Sequence, residues 1–426
     1  MISKFIDFKF IHCSDLHLDS PFQVHISSGT EVVAALHDAA VDSFAALCDF
    51  AIDESVDFIV VSGDVYDGIE RGIRAQLRLL REISKLSAAD IDVYMAFGNH
   101  DPLGQGGEFA IKWPSNLHIF PDTPLTFSLE KEDKVYGHIT GISYRTKHEQ
   151  RNLAQLFPDV NDSGLFEIAV LHANIGGNAE HDNYSPATLE DLVSKGYDYW
   201  ALGHIHKRTV LSESPFVIYP GNLQGLHMKP SERGPKGAEL VIVGSELGHR
   251  FIPFARVVFE QIEFDVTGIE SIDSVLAECG DRAISLVGKS GAASLVVRVH
   301  LVGTAEEELY RAIEDIDSVA QTLAEELQLN NSKILLEGMS SSVMPSRTLD
   351  DLVGLSDVIG ELVTEIEKWR QSEPLLDQMV IDDPSKKGII SKLSRVGLAE
   401  SFKFDRNDLE AAYRVLTALF AKEELS

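Results

Sequence analysis

Five short clusters of this 426-residue chain combine carboxylates, an amide, imidazoles and glycines in a way that suits metal binding. They are Ser14-Asp15-Leu16-His17, Ser62-Gly63-Asp64-Val65-Tyr66-Asp67, Gly98-Asn99-His100-Asp101, Leu171-His172-Ala173-Asn174 and Gly203-His204-Ile205-His206. Their oxygen and imidazole-nitrogen donors fit hard and borderline divalent metals. In Asp15-x-His17 and His204-x-His206 the alternate residues leave extended backbone on one side, so both can face one ion. Two divalent ions about 3.5–4 Å apart turn a water into a nucleophile and neutralise phosphoryl charge, which is what phosphodiester hydrolysis demands. A shared carboxylate has to hold such ions together, and Asp64, directly after Gly63, is well placed. His100, next to the candidate ligand Asn99, has the chemistry of a general acid, and Asp101 is placed to orient it or raise its pKa.

Singly, each cluster has a structural alternative: Asp15 or Asp64 as a helix cap, a buried histidine as a hydrogen-bonded core residue. Their joint occurrence at five strand ends is what argues for chemistry. His118, His138, His148, His181 and His249 lack such company and are expected to be structural. So is His227, although it follows Pro220-Gly221-Asn222.

The elements that must position these clusters are short apolar runs alternating with helical patterns. Strands are expected at 8–12, 58–61, 93–97, 139–143, 167–172, 198–202 and 216–219. A helix is expected over 31–54, where Val33, Leu36, Ala40, Phe44, Leu47 and Ala51 recur at helical spacing. Polar clusters at strand ends indicate an α/β domain with its site at the carboxyl edge of the sheet. After about residue 250 the order becomes strand 257–265, helix 269–279, strand 294–301, helix 306–327 and strand 333–336, which suits a small α+β unit. Residues 340–348 read as a linker, and the chain from 349 onward as helical.

The length favours two or three domains, and 44% hydrophobic with 24% charged residues is ordinary globular composition. A net charge of -30, with acids in excess in both halves, argues against coating nucleic acid by bulk electrostatics. Any polyanion has to meet local basic patches or bound cations. Cys13, Cys48 and Cys279 lack metal-type spacing and are expected as buried thiols. No secretory leader or bilayer-spanning run is expected, which points to the cytoplasm and away from a membrane.

The set Asp15-x-His17, Gly63-Asp64-x-x-Asp67, Gly98-Asn99-His100-Asp101, His172 and Gly203-His204-x-His206 resembles the calcineurin-like metallophosphoesterase superfamily. Residues 17–22 (His-Leu-Asp-Ser-Pro-Phe), Tyr219–Gly225 and Gly234-Pro235-Lys236-Gly237 are similar to bacterial DNA-repair exonucleases of the SbcD and YhaO type. The resemblance implies a four-layer αββα sandwich over 1–250, a capping α+β domain over 251–340 and a helical region over 349–426. It implies one metal held by Asp15, His17, Asp64 and His206 and a second by Asp64, Asn99, His172 and His204. His100 would contact the scissile phosphate and assist the leaving group, and manganese would be the usual ion, with magnesium, iron or zinc as alternatives. Some archaeal and eukaryotic relatives carry His at the position of Asp67, so Asp67 is given a supporting role only. The resemblance further implies DNA as substrate, a homodimer, and an SbcC-like coiled-coil ATPase partner, for which Tyr413, Leu416, Leu419 and Phe420 offer an apolar stripe.

Two basic features offset the acidity. Arg71, Arg74, Arg78, Arg81 and Lys85 recur at helical spacing, with Leu77, Leu80 and Ile83 expected to turn inward. This face suits a DNA backbone, a dimer interface or plain solvation. Over 203–236 Lys207, Arg208, Lys229, Arg233 and Lys236 face only Glu213 and Glu232, and Lys207, Arg208, Arg233 and Lys236, beside two candidate ligands, are assigned to phosphate contact. The rival readings are a phosphodiesterase for small substrates such as cyclic nucleotides, and a non-catalytic DNA-end-binding subunit.

Overall fold

A computed structural model describes residues 6–20, 31–68, 71–104, 111–160, 164–177, 183–244, 247–290 and 292–346. The helical region expected over 349–426, with its stripe at Tyr413–Phe420, lies outside the described residues, as does His181. In chain order the strands of the first part are β1 (Phe8–Cys13), β2 (Phe58–Ser62), β3 (Asp92–Ala96), β4 (Leu117–Ile119), β5 (Leu125–Lys131) and β6 (Lys134–Gly141). They continue with β7 (Phe166–His172), β8 (Tyr199–Gly203), β9 (Thr209–Glu213), β10 (Phe216–Tyr219), β11 (Gly237–Val243) and β12 (Gly248–Pro253). Helices α1 (Glu31–Asp53), α2 (Ile73–Ala88) and the short α3 (Leu189–Val193) lie between them.

The strands form two six-stranded sheets, ordered β12-β11-β1-β2-β3-β4 and β5-β6-β7-β8-β10-β9. β1, β2, β3 and β4 run parallel, and so do β6, β7, β8 and β10. Parallel strands covered on both faces need near-continuous apolar sequence, which Phe58-Ile59-Val60-Val61 and Ile168-Ala169-Val170-Leu171 supply. Alternate side chains then go to opposite faces. Phe8, Phe10, Phe58, Val60 and Tyr94 of the first sheet pack with Tyr136, Ile139, Phe166, Ile168 and Tyr199 of the second. On the outer face of the first sheet Ile11, Ile59, Val61 and Val93 meet Phe44 and Leu47 of α1 and Leu79 and Ile83 of α2. Beyond the second sheet Ala169, Leu171 and Trp200 meet Leu153, Phe157 and Leu192. The result is the expected α/β sandwich of two sheets flanked by helical segments.

One polar group interrupts the aromatic layer. His12 on β1 is fully buried and contacts the Ser62 hydroxyl on β2 at 2.9 Å and the Tyr199 hydroxyl on β8 at 3.0 Å. It therefore ties the sheets together just beneath the ends of the strands that carry the polar clusters. Burial lowers its pKa to about 3, so the imidazole is neutral.

The later elements are β13 (Val257–Asp265), α4 (Ile272–Ser290), β14 (Ser294–Val302), β15 (Thr304–Ala305), α5 (Glu307–Glu314), α6 (Ile316–Asn330), β16 (Ile334–Ser341) and β17 (Met344–Pro345). β13, β14 and β16 form a three-stranded sheet. The single helix expected over 306–327 is two, because Asp315 leaves helical geometry at φ -91 and ψ 64. The linker expected at 340–348 holds the end of β16 and all of β17. The chain divides into two compact units that interleave in sequence: one of Met1–Ile262, Asp281–Arg298 and Ala324–Gly338, the other of Glu263–Gly280, Val299–Leu323 and a stretch starting at Met339. Cys13, Cys48 and Cys279 are buried thiols, as expected. No helix among the described residues is long and apolar enough to cross a membrane.

Candidate metal centre

Each cluster lies at the carboxyl end of a parallel strand. Asp15 and His17 follow β1, Asp64 follows β2, Asn99 follows β3, His172 ends β7, and His204 and His206 follow β8. Backbone hydrogen bonds lace the first two loops, from Asp15 N to Gly63 O (3.0 Å), His17 N to Asp64 O (3.1 Å) and Leu18 N to Val65 O (3.0 Å). The His204 amide donates across the sandwich to the Asp15 carboxylate at 3.1 Å. Close approach explains two of the glycines: a Cβ at Gly98 would lie 2.3 Å from Asp64 Oδ1, and one at Gly63 (φ +104) 2.3 Å from His172 Nδ1.

Carbonyl and carboxylate oxygens facing one nitrogen of each ring set the histidine tautomers, and the tautomers leave the other nitrogens aimed at one another. His172 Nδ1 donates to the Ser62 carbonyl (3.0 Å), so its Nε2 is the nitrogen that faces Asn99 Oδ1 at 3.1 Å and Asp64 Oδ2 at 3.3 Å. His17 directs Nδ1 at Asp67 Oδ1 (3.2 Å) and His206 directs Nδ1 at Glu232 Oε1 (2.5 Å), which leaves their two Nε2 atoms facing each other at 3.3 Å. Lone pairs confronting lone pairs and carboxylates at these distances need a cation between them. A proton is one answer: against the effect of burial, Asp64 and Asp15 push His172 up to about 9. A divalent ion is the other. Two donors each about 2.1 Å from one metal, at tetrahedral to octahedral angles, are about 3.0–3.4 Å apart. The His17–His206, His172–Asn99 and His204–Asn99 separations of 3.3, 3.1 and 3.1 Å match that spacing. Asp15, His17 and His206 have ligand atoms within 4.8 Å of one another, as do Asp15, Asp64 and His172, and His17, Asp67 and His100; Asp15 is common to the first two groups and His17 to the first and third.

His100 sits at the mouth, its side chain 36% exposed. Its amide donates to Asp64 Oδ1 (3.0 Å), and its Nδ1 meets Asp67 Oδ1 at 3.0 Å. Burial works against the charged form, but Asp67 and Asp64 push the pKa up to about 9, so the ring is protonated at neutral pH. The carboxylate that orients His100 is therefore Asp67 and not, as the sequence suggested, the adjacent Asp101. Asp101 is buried, and its oxygens accept the amides of Val65 (2.8 Å), Tyr66 (3.0 Å) and Gly98 (2.9 Å). Its work is to hold the β2 and β3 loops together.

The basic residues are placed differently from expectation. Arg71 precedes α2 and is buried, donating to the carbonyls of Asp101 and Pro102 (2.8 Å each) and lying over the Phe97 ring. Arg78 pairs with Asp38 at 2.6 Å and Lys85 with Asp49 at 2.7 Å, while Leu77 is exposed instead of turned inward. Of the four assigned to phosphate contact, Lys207 is exposed beside His206. Arg208 pairs with buried Glu239, and Arg233 donates to Gln261 Oε1 at 2.6 Å. Lys236 is buried and donates to the carbonyls of His206 (2.7 Å) and Ser231. Among the other histidines, His118, His138 and His249 pair with Asp92, Glu167 and Glu239. Sequence reasoning missed Glu232, the partner of His206, which carried no motif of its own.

Two stacked α/β sheets with an Asp, Asn and His donor cluster at the strand ends define the architecture of a metallophosphoesterase. Comparison with known proteins agrees: residues 8–208 match the calcineurin-like phosphoesterase family. The chain is 40% identical over 310 residues to the uncharacterized metallophosphoesterase YhaO of Bacillus subtilis strain 168, covering 72% of this chain and 74% of that one. It is also 27% identical to the DNA double-strand break repair protein Mre11 of Sulfurisphaera tokodaii, over 55% of this chain and 59% of that one. The Mre11 of Sulfolobus acidocaldarius is 26% identical over 56% and 61%. The chain belongs to the calcineurin-like phosphoesterase family and is a metal-dependent phosphoesterase.

Proposed function

We propose that the chain is a two-metal nuclease that cleaves phosphodiester bonds at DNA ends, in the cytoplasm, as a homodimer and with a coiled-coil ATPase of the SbcC type as partner. The observation that carries the reading is the apposition of His17 and His206 Nε2 and of Asn99, Asp64 and His172, described above, in a chain similar to proteins named for double-strand break repair. Asp15, His17, Asp64 and His206 would hold one ion, and Asp64, Asn99, His172 and His204 the other. Bound there, a pair of divalent ions, manganese by preference, supplies an acidified water and neutralises charge on the phosphoryl oxygens. The chain does the rest. His100, kept protonated by Asp67, holds a proton at Nε2 for the departing oxygen. Lys207, exposed next to His206, keeps the assignment to backbone phosphate.

The test compares manganese-dependent hydrolysis of end-labelled duplex and hairpin DNA with that of bis-para-nitrophenyl phosphate. Cleavage of DNA supports the proposal. Hydrolysis of the small ester alone makes the protein a phosphodiesterase for small substrates. Bound metal with neither activity makes it a DNA-end-binding subunit.

A further inference from the structure

The segment from the end of β10 carries Tyr219–Gly225 and Gly234-Pro235-Lys236-Gly237, and with them Arg233 and Lys236, two of the residues assigned to phosphate contact. Two of its charged groups, Glu232 and Lys236, are buried, while Lys229 is exposed. Glu232 is 1% exposed, and each of its oxygens is engaged. Oε1 meets His206 Nδ1, while Oε2 accepts from the Asn222 side chain at 2.7 Å and from the Leu226 amide at 3.0 Å. Asn222 is itself fully buried and donates to the Gln224 carbonyl at 2.7 Å. Its backbone amide donates to the His206 carbonyl at 3.3 Å. That carbonyl also accepts from Lys236 Nζ at 2.7 Å. Gly221 has φ +82, and a Cβ there would lie 2.8 Å from the same carbonyl, so the segment can close on His206 only with glycine at this position.

His206 is thus gripped at ring and backbone by one segment, as His17 is by Asp67 and the Asp64 carbonyl of the β2 loop. An imidazole ligand whose second nitrogen donates to a carboxylate is locked in one tautomer and made more basic at the metal-facing nitrogen.

We propose that Glu232, seated by the Asn222 side chain and the Leu226 amide, is a positioning residue of the metal centre that sets the affinity of the His206-containing ion site, and that residues 219–237 are a socket for His206 and not a DNA clamp. This rests on His206 being a metal ligand. Removing such a carboxylate partner costs about 10–100-fold in metal affinity.

The test is a double-mutant cycle read by calorimetric titration of the full-length, metal-stripped protein with Mn2+, each variant's fold being followed by circular dichroism. Glu232→Gln weakens one of the two Mn2+ sites by about 10–100-fold and leaves the other within about 2-fold. In a His206→Ala background the same change has less than about a 2-fold effect, because its target is gone. Glu232→Asp, which keeps the charge but withdraws it from Nδ1, gives an intermediate loss and replaces Gln in the cycle if that variant fails to fold. Unchanged Mn2+ affinity in E232Q, or an equal loss with and without His206, overturns the proposal. Wild-type Mn2+ binding by H206A overturns the ligand assignment and the proposal with it.

Discussion

Gly98→Ala is the smallest change that should disable the site. Its backbone φ lies outside the left-handed region, so an alanine there carries no conformational penalty and the whole effect comes from one methyl group. That methyl would lie 2.3 Å from Asp64 Oδ1, 2.7 Å from His172 Nε2 and 2.8 Å from His172 Cδ2. Non-bonded carbons prefer about 3.5 Å or more, so the nearest oxygen has to retreat by roughly 1 Å. Neither neighbour can retreat cheaply. His172 is fully buried and donates to Ser62 O, and Asp64, 1% exposed, is held by the His100 amide. Overpacking of this kind costs about 1–3 kcal/mol in stability. A misplacement of about 1 Å in a catalytic constellation costs roughly 100-fold in rate. The assay is manganese-dependent hydrolysis of bis-para-nitrophenyl phosphate, with Mn2+ affinity and thermal melting measured on the same preparation. Gly280→Ala is the control: its Cβ meets nothing within 4 Å, and in α4 it should gain up to about 1 kcal/mol with no change in rate. If G98A kept its rate within about 3-fold and its Mn2+ affinity unchanged, Asp64 and His172 would not converge in front of Gly98, and the site as described would be wrong.

Replacing His12 with Phe takes the partner from the buried Tyr199 hydroxyl, while Ser62 keeps its bond to the Cys13 carbonyl at 3.4 Å, and should cost about 1–3 kcal/mol in urea unfolding; an unchanged midpoint would refute this. It should also alter the pH dependence. A folded pKa of about 3 against 6.5 means that His12 lets stability fall as pH drops from 6.5 towards 3, by up to about 1.4 kcal/mol per pH unit, and H12F should show a shallower slope over that window. His100→Ala should retain Mn2+ affinity within about 3-fold while losing 100-fold or more in kcat; a parallel loss of metal would make His100 a ligand instead. Stripping the metal with a chelator and restoring Mn2+ at 100 times Kd should recover about 2.7 kcal/mol per site, read as a rise in melting temperature.

The sequence carried the ligands because each stands where a parallel strand ends, and strand ends are legible from short apolar runs such as Phe58–Val61 and Ile168–Leu171. What it could not carry was pairing between loops. Asp101 is next to His100 in the chain, yet Asp67 reaches the ring, because the β2 and β3 loops are brought together by tertiary structure. The partners of Arg208 and Arg233 were hidden for the same reason: charge counted along the chain ignores Glu239 and Gln261, which come from other strands. Arg71 continues the helical spacing of Arg74 and Arg78, but Gly72 is extended (φ -45, ψ 131), and the helix starts after it. β5 was missed because among its seven residues only Leu129 is buried, so there is no alternation to read.

The backbone shows why this fold can hold such a site at all. Asp15 (φ 51), His17 (φ 44), Asp64 (φ 50) and His204 (φ 98) are all non-glycine residues in left-handed conformation. Such residues cost about 1–3 kcal/mol each and persist only where the surroundings over-determine them. Here the surroundings do: the amides of Asp15 and His17 are tied to Gly63 and Asp64, and the His204 amide to the Asp15 carboxylate. The strain turns each side chain sharply off its strand end and towards the opposite sheet, which a relaxed extended continuation would not do. Two sheets with rigid aromatic packing between them, tied beneath the site by His12, supply the stability that this geometry consumes. Loosening that support should therefore appear first as weaker metal binding and only later as unfolding. H12F, measured for Mn2+ affinity at a temperature where it remains folded, puts this order to the test.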